Sequence, residues 1–228
     1  RALPSISISD SSHITCVGND YGFDFIFAKG VEAFGQEGDF FFGISTSGNS
    51  KNIIEAVKMA KETTFDVLIE IPRGSRNKYE YDFDLGKMRF DRMLHTSMVY
   101  PTDYGFIPET LADDGDPLDV LVISTIPFFS GCVVKVKPVG ILYMSDEKGG
   151  DEKVLCVPEA DPMVKSLSQL NEVNPHLTKE IEHFFKVYKD LENKKVDVRG
   201  WGDVSDALKV YKECIARYKG QSAKKFVL

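Results

Sequence analysis

The chain has 228 residues, of which 43% are hydrophobic, and 28 Lys and Arg against 35 Asp and Glu give it a net charge of −7. This composition predicts a globular protein that can bury one full domain and part of a second. No segment approaches the roughly 20 apolar residues of a membrane helix, and no secretory signal pattern is present, so we expect a cytoplasmic protein with no membrane partner. Without a basic surplus, a nucleic-acid partner is not expected either.

The first 63 residues alternate between short apolar runs and amphipathic segments. In chain order, PSISI and ITCV predict short strands, GFDFIFAKGVEAF a helix, DFFFGIS a buried strand, and NSKNIIEAVKMAKE a second helix. The alternation predicts an α/β segment that covers residues 1–63.

From residue 64 to residue 228 the pattern becomes rich in strands. Gly, Pro and Asp turns separate six predicted strands, which are VLIEIP, KYEYDF, KMRFDRML, DVLVIST, CVVKVKPVGILYM and KVLCVP. Two amphipathic helices follow, with apolar residues at helical intervals from Leu177 to Leu191 and from Val204 to Tyr218. Periodicity alone therefore predicts a β-rich domain with two C-terminal helices.

Four aspartates crowd into the heptapeptide DDGDPLD, residues 113–119, directly before an apolar strand. Asp, Gly and Pro all favour turns, so one interpretation is a solvated loop. Crowded carboxylates also raise one another's pKa, and a bound cation relieves that repulsion. Further acids, Glu70, Asp146 and Asp151, stand at strand ends or turns. Because all these ligands are hard oxygens, with no His or Cys among them, the other interpretation is a site for Mg²⁺, with Mn²⁺ as a substitute.

Basic side chains lie in short motifs that also hold tyrosines or acids. Lys78, Arg92, Lys153 and Lys189 belong to NKYEYD, FDRM, DEK and YKDLE. Taken singly, each is best interpreted as a surface residue whose stem covers apolar area. Arg offers bidentate contacts to phosphate and Lys offers a point charge, so together with a metal site the set indicates chemistry on a phosphate compound.

From about Phe65 to Tyr218 the chain resembles the soluble family I inorganic pyrophosphatases, and the bacterial form most closely. The motifs that carry the resemblance are EIPRGSRNKYEYD, DRMLHTSMVYPTDYGFIPETLADDGDPLDVLV, KPVGILYMSDEKGGDEKVLCVP and HFFKVYKDLE, in that order. The resemblance implies an α+β fold, namely an OB-like closed β-barrel flanked by the two C-terminal helices, with the site in the barrel mouth. It also implies a homohexamer.

The same resemblance implies that a metal-bound hydroxide attacks pyrophosphate in line and yields two phosphates. The implied metal ligands are Asp114, Asp116, Asp119, Asp146, Asp151 and Glu70, and Asp116 is also the catalytic general base. The implied phosphate-binding residues are Lys78, Arg92, Tyr104, Tyr188 and Lys189, with Glu80, Tyr100 and Lys153 in support. Asp113 receives no role and stays interpreted as a solvated turn residue.

Residues 1–50 resemble the middle of the phosphoheptose isomerases, which are sugar-isomerase (SIS) domain proteins. The resemblance implies a vestigial sugar-phosphate site at Asn19, Asp20, Ser45, Thr46, Ser47 and Ser50. The residues themselves leave two interpretations of STSGNS, a plain helix cap or a phosphate site at a helix N-terminus. The second gives an alternative function, a sugar-phosphate-binding module.

The resemblance to that isomerase family covers only a central slice of its domain. Its flanking helices and strands are missing, together with the His, Glu and Gln residues that bind metal and move the proton, so we expect a truncated fragment without isomerase activity. The chain begins with Arg1 rather than Met. A natural fusion, a fusion scar and a fragment all remain open as the origin of this segment.

Overall fold

The computed structural model describes residues 5–35, 41–60, 64–147 and 149–220. The chain divides into two compact units, Arg1–Glu62 and Thr63–Leu228. None of the helices in the described ranges is long and apolar enough to cross a membrane. The four cysteines are unpaired; Cys156 and Cys214 are buried packing residues, whereas Cys16 is exposed.

The regular secondary structure in the described part of the first unit is helical. It contains α1 (Ser11–Asp20), a 3-10 turn (Phe23–Phe25), α2 (Ala28–Phe34) and α3 (Lys51–Ala60). The two predicted helices are confirmed, since the first corresponds to the 3-10 turn with α2 and the second to α3.

The three predicted strands of this unit are wrong, and residues 5–35 and 41–60 contain no β-strand. ITCV lies inside α1, because the Asp10 side chain accepts hydrogen bonds from the backbone N–H groups of Ser12 and His13 and so begins a helix there. PSISI and DFFFGIS are irregular at residues 5–8 and 41–45, and their other residues lie outside the described ranges. The predicted α/β character is therefore replaced by helices in the described part of this unit.

Within residues 64–147 and 149–220, the second unit contains every strand that the sequence predicted, and three more. Its strands are β1 (Phe65–Ile71), β2 (Asn77–Asp82), β3 (Lys87–Met93), β4 (Asp103–Ile107), β5 (Leu118–Val122), β6 (Val133–Asp146), β7 (Gly149–Gly150), β8 (Lys153–Pro158) and β9 (Asp197–Gly202). The additional strands are β4, β7 and β9. Helix α4 (Pro175–Val187) precedes β9, and α5 (Val204–Gly220) follows it, which confirms the two C-terminal helices.

The strands form one mixed sheet and one separate hairpin. Strand β1 pairs antiparallel with β4 and with β6. Strand β5 pairs antiparallel with β4 and parallel with β8, and β8 pairs antiparallel with β6. Strands β7 and β9 add to β6, while β2 and β3 form the hairpin. A mixed sheet with C-terminal helices is consistent with an OB-like α+β fold.

Two apolar clusters cover opposite faces of the central strands. Leu121 of β5 packs in the cluster that includes Phe184 and Phe185 of α4. Its neighbour Val120 packs in the cluster that includes Ala207 and Cys214 of α5. Because successive strand residues point to opposite faces, the residues two positions before Leu121 and before Leu155 of β8 face the α4 side. Those residues are Asp119 and Lys153, so the sheet brings two predicted site residues to one face.

Candidate active site

A buried ammonium group lies at the centre of the predicted site. Asp119 and Lys153 are Cα partners in the parallel β5–β8 pair. The Nζ of Lys153 lies 2.7 Å from Oδ2 of Asp119 and 2.7 Å from Oδ1 of Asp151. It also lies 3.4 Å from the hydroxyl of Tyr104, which donates a hydrogen bond to Asp119. The structure thus brings these four predicted residues together, with Lys153 only 1% exposed.

The charges of this cluster shift one another's protonation. Burial lowers the pKa of Lys153, but the carboxylates of Asp119 and Asp151 outweigh burial and hold that pKa above its ordinary value. Burial raises the pKa of Asp151, although the Lys153 ammonium opposes the shift. Burial also raises the pKa of Asp114, and the nearby Asp116 and Asp119 charges add to that rise. The acids are therefore crowded enough to favour a cation among them.

A tight loop carries the next two aspartates. The backbone N–H of Asp116 donates to Oδ1 of Asp114 at 3.1 Å, and the carbonyl of Asp116 accepts from the N–H of Ala112 at 2.8 Å. Gly115, between the two aspartates, has a φ of 91°, a conformation that glycine adopts without a steric penalty. The loop leaves Asp114 half-buried and Asp116 exposed, and it leads directly into β5 with Asp119.

Glu70 is a buried carboxyl near the end of β1. It is 9% exposed, and its Oε1 accepts a hydrogen bond from the N–H of Tyr81 at 2.7 Å. Burial raises its pKa to about 8, with a smaller contribution from the charge of Asp119. A buried carboxyl with so high a pKa is stable either in its protonated form or as a carboxylate with a cation close to it.

The β2–β3 hairpin presents two predicted phosphate-binding residues side by side. Lys78 and Arg92 are Cα partners in that hairpin. Both are ion-paired with Asp91, and the Nζ of Lys78 lies 3.6 Å from its carboxylate. Lys78 also contacts Glu80, the predicted supporting residue. The hairpin therefore presents two cationic side chains, and acidic side chains of the same hairpin form ion pairs with both.

The segment that follows α4 provides two more predicted phosphate-binding residues, Tyr188 and Lys189. The Nζ of Lys189 lies 3.0 Å from Oδ2 of Asp146 and 5.3 Å from the ring centroid of Tyr188. The rings of Tyr188 and Tyr100 both pack on Phe184, with centroids 5.1 and 4.9 Å from it. Burial raises the pKa of both phenols, so Tyr100 and Tyr188 are neutral hydrogen-bond donors at physiological pH.

The chemistry of the acidic side chains suits a hard divalent cation. Within the described ranges, no group of three or more His, Cys, Asp or Glu side chains is arranged as a finished metal site. The Lys153 ammonium lies between two of the predicted ligands and neutralises them. All six predicted ligands nevertheless offer carboxylate oxygens, which Mg²⁺ and Mn²⁺ prefer over nitrogen or sulfur.

Comparison with known proteins places these residues in a family. A family model described as inorganic pyrophosphatase matches residues 67–219. The chain therefore belongs to the inorganic pyrophosphatase family. An inorganic pyrophosphatase from Methanosarcina acetivorans is 56% identical over 160 residues, which are 70% of this chain and 95% of that relative. The one from Thermus thermophilus is 54% identical over 157 residues, which are 68% of this chain and 90% of that relative.

Solved structures agree with this membership of the inorganic pyrophosphatase family. The crystal structure of inorganic pyrophosphatase from Thermus thermophilus has a TM-score of 0.68 and 51% identity, covering 71% of this chain and 94% of that one. The one from Coxiella burnetii has a TM-score of 0.66 and 46% identity, covering 68% of this chain and 95% of that one. The mixed sheet with its C-terminal helices is thus a pyrophosphatase fold.

Sequence reasoning missed several partners of the pyrophosphatase residues. Glu192 accepts two hydrogen bonds from Arg92, at 3.1 Å from Nε and 3.0 Å from Nη2. Asp113 is an exposed turn residue, as interpreted from the sequence, and it is also ion-paired with Arg217 of α5 at 2.8 Å. Glu192 stood inside the quoted YKDLE motif, and only its position there could have drawn attention to it. Arg217 lies about a hundred residues from its partner, so no local pattern connects the two.

The residues of the predicted sugar-phosphate site lie in the first unit. Asn19 and Asp20 are exposed at the end of α1. Ser45 to Ser50 precede α3, where the hydroxyls of Ser45 and Ser50 are 2.8 Å apart and the N–H of Asn49 donates to the hydroxyl of Ser47. Thr46 is exposed in the same loop. Hydrogen bonds of this kind are ordinary in a loop that leads into a helix, and the family match favours the pyrophosphatase residues over this loop.

Proposed function

We propose that the protein hydrolyses inorganic pyrophosphate to two phosphates at the residues grouped around Lys153. The observation that carries the proposal is the inorganic pyrophosphatase match over residues 67–219, the segment that contains all of these residues. Relatives with this name share about half or more of their sequence with the chain.

We assign Mg²⁺ as the metal, with Mn²⁺ as a substitute, to the carboxylates of Asp114, Asp116, Asp119, Asp146, Asp151 and Glu70. When bound, such an ion neutralises phosphate oxygens and lowers the pKa of water. The chain's own part is to gather and orient the acids. Lys153 contacts both Asp119 and Asp151, and its ammonium opposes the rise that burial causes in the pKa of the Asp151 carboxyl.

Asp116 accepts the proton of the attacking water in the proposed reaction. Its loop leaves the side chain exposed, where water and substrate reach it. Its backbone is fixed to Asp114 and Ala112 by the hydrogen bonds described above. A base held in this way loses little orientational freedom when the substrate binds.

Two pairs of residues hold the two phosphoryl groups in this proposal. Lys189 and the neutral phenol of Tyr188 bind one, while Lys78 and Arg92 bind the other and stabilise the charge that grows on the leaving phosphate. Tyr104 is the remaining proposed phosphate-binding residue. It donates to Asp119 and Tyr100 packs beside it, so both also orient the acidic cluster. The carboxylates of Asp91, Glu80 and Glu192 now pair with the hairpin cations. Substrate phosphate would compete with these acids for Lys78 and Arg92.

We further propose that the sheet closes into the OB-like barrel expected from the family resemblance. In support, each of β1, β4, β5, β8 and β6 pairs with the next, and β6 pairs with β1 again. A homohexamer and a cytoplasmic location remain predictions from the same resemblance. Exposed apolar side chains such as Ile126 and Phe129 are compatible with association between copies.

Release of phosphate from pyrophosphate tests the proposed activity directly. The purified full chain should release two phosphates per pyrophosphate when Mg²⁺ is present and none above background in a chelator. Replacement of Mg²⁺ by Mn²⁺ should restore part of the activity. A phosphate monoester serves as the control substrate, because it lacks the second phosphoryl group that Lys78 and Arg92 would hold. The absence of metal-dependent release would overturn the proposal.

A further inference from the structure

The C-terminal part of α5 forms hydrogen bonds and an ion pair with the loop between β4 and β5, which carries Asp113, Asp114 and Asp116. The Nη1 of Arg217 donates to the carbonyl of Leu111 at 2.6 Å, and its Nη2 lies 2.8 Å from Oδ1 of Asp113. The N–H of Leu111 donates in turn to the carbonyl of Cys214 at 3.1 Å. Both backbone polar groups of Leu111 are thus bound by α5. One guanidinium therefore joins the helix to the main chain and to a side chain just before Asp114.

The other end of the loop is fixed independently of α5. The hydroxyl of buried Thr110 donates to the carbonyl of Ile107 and accepts from the N–H of Leu118 at 2.9 Å. These two hydrogen bonds link the end of β4 to the start of β5, where the two ends of the loop meet. Residues 111–113, the arm of the loop, follow Thr110 directly and include both contacts of Arg217.

Apolar packing and directional contacts together fix this arm, since Leu111 is 7% exposed and Ala112 packs against the apolar cluster that includes Cys214. A cavity of about 70 Å³ lies beside it, with Ala112, Asp113 and Leu118 on the loop side and Val210, Glu213 and Arg217 on the helix side. Protein interiors are ordinarily filled, so this gap makes the packing between the arm and α5 incomplete. The directional contacts of Arg217 therefore add to that packing in positioning the arm.

We propose that Arg217 is a positioning residue for the metal-binding aspartates. It touches neither substrate nor the reacting atoms, and it acts through Leu111 and Asp113 to set where Asp114 and Asp116 stand. The inference rests on the proposed roles of those two aspartates. The cations to which we assign phosphate binding lie on other segments of the chain, the β2–β3 hairpin and the segment after α4. Loss of Arg217 should consequently affect the metal response and kcat, and leave the KM for pyrophosphate almost unchanged.

The test compares Arg217→Met with Lys212→Met, which removes one positive charge from an exposed position of the same helix. Activity is measured against Mg²⁺ and pyrophosphate concentration, well below the thermal midpoint of each variant. A displacement of about 1 Å in a catalytic group costs up to about 100-fold, so we expect Arg217→Met to lose about 10-fold in kcat or to need about 10-fold more Mg²⁺ for half-activation. Its KM should change less than about twofold, and Lys212→Met should match the parent.

Two further variants keep the outcome decisive. Arg217→Lys should restore part of the Mg²⁺ response, because an ammonium still reaches Asp113 but cannot bind both partners as a fork does. Asp113→Ala removes one of the two contacts of Arg217 without altering α5, and this variant is used in place of Arg217→Met if Arg217→Met does not fold. It should shift the Mg²⁺ response in the same direction by a smaller factor.

A folded Arg217→Met with parental kcat and Mg²⁺ response overturns the inference, even when its thermal midpoint has fallen. Asp116→Asn is assayed in parallel to separate this failure from a failure of the site assignment. An inactive Asp116→Asn beside a normal Arg217→Met rejects only the positioning role. An active Asp116→Asn rejects the role of the aspartate loop itself, and with it any positioning through that loop.

Discussion

At the scale of single residues, the Lys153 ammonium lies between the carboxylates of Asp119 and Asp151 and supplies the positive charge that two close acids require. It contacts Asp119 and Asp151 at 2.7 Å and is almost fully buried. Removal of one partner from a buried ion pair leaves an uncompensated charge and costs about 3–5 kcal/mol. We predict that Lys153→Met lowers the free energy of unfolding by about 3 kcal/mol in a chelator, measured by urea denaturation.

Added Mg²⁺ should recover part of that loss, because a divalent cation among the same carboxylates replaces the missing positive charge. The matched control is Lys135→Met, since Lys135 is an exposed lysine on β6 whose nearest acid, Asp66, is 4.0 Å away. Its stability should change by less than about 0.5 kcal/mol. A deficit in Lys153→Met that Mg²⁺ does not reduce would contradict the proposed use of Asp119 and Asp151 as metal ligands.

Asp116 gives the corresponding prediction for the reaction itself. Asn has nearly the same shape and keeps the backbone hydrogen bonds of the loop, but it cannot accept the proton of water. We expect Asp116→Asn to remain folded and to lose more than about 2 kcal/mol of transition-state stabilisation, roughly a 30-fold loss of rate. Steady-state phosphate release, with circular dichroism as the check on folding, measures both. Near-normal activity in the purified variant would reject Asp116 as the base.

The sequence was informative about residue identities and much less so about their partners. The family resemblance implied that Asp119, Asp151, Lys153 and Tyr104 share a site, and the structure brings them together. The ion pair between Arg92 and Glu192 could not be predicted from the motifs. It joins residues 100 positions apart whose proximity depends on how α4 packs against the sheet.

At the scale of elements, the success of prediction depended on how strongly a segment repeats its pattern. Continuous apolar runs such as those of β5, β6 and β8 were recognised, because they are buried strands. Strand β4, DYGFI, lies among Pro and Gly signals, and β9, DVRGWG, contains two glycines, so local preference pointed away from both. In α1 the opposite happened, since a helix cap outweighed a short β-branched run.

Gly105 shows why β4 uses a residue with poor strand preference. It is the Cα partner of Ile69 in the β1–β4 pair, and a Cβ atom placed on it would lie 2.0 Å from the carbonyl oxygen of Leu68. Since that neighbour is backbone, the two strands would have to separate. We predict that Gly105→Ala lowers the free energy of unfolding by about 3 kcal/mol in urea denaturation, at the upper end of typical overpacking costs.

The same change should also lower activity, because the adjacent Tyr104 binds Asp119. Gly220→Ala is the matched control, since a Cβ atom there meets nothing within 4 Å. We expect that variant to stay within about 0.5 kcal/mol of the parent. Equal stability of the two variants would show that β1 and β4 can separate at little cost.

At the scale of the whole molecule, the chain combines two units with different organisation. Both apolar clusters and every residue assigned to the reaction lie within residues 64–220. The family match begins at residue 67. The Methanosarcina acetivorans and Thermus thermophilus relatives match this chain over 95% and 90% of their own length, so they lack most of the length of the first unit. The second unit therefore has its own core and its own complete set of proposed site residues, as an independently folding domain requires.

We predict that a chain lacking residues 1–63 folds and hydrolyses pyrophosphate with kcat and KM within about twofold of the full chain, a difference below about 0.5 kcal/mol in transition-state stabilisation. The physical reason is that the deletion removes no side chain of the proposed site and no member of either core cluster. Steady-state kinetics of both proteins at saturating Mg²⁺ measure the effect, and sedimentation checks that their assembly states are the same. A folded shorter chain with a tenfold lower kcat would mean that the first unit contributes to the reaction.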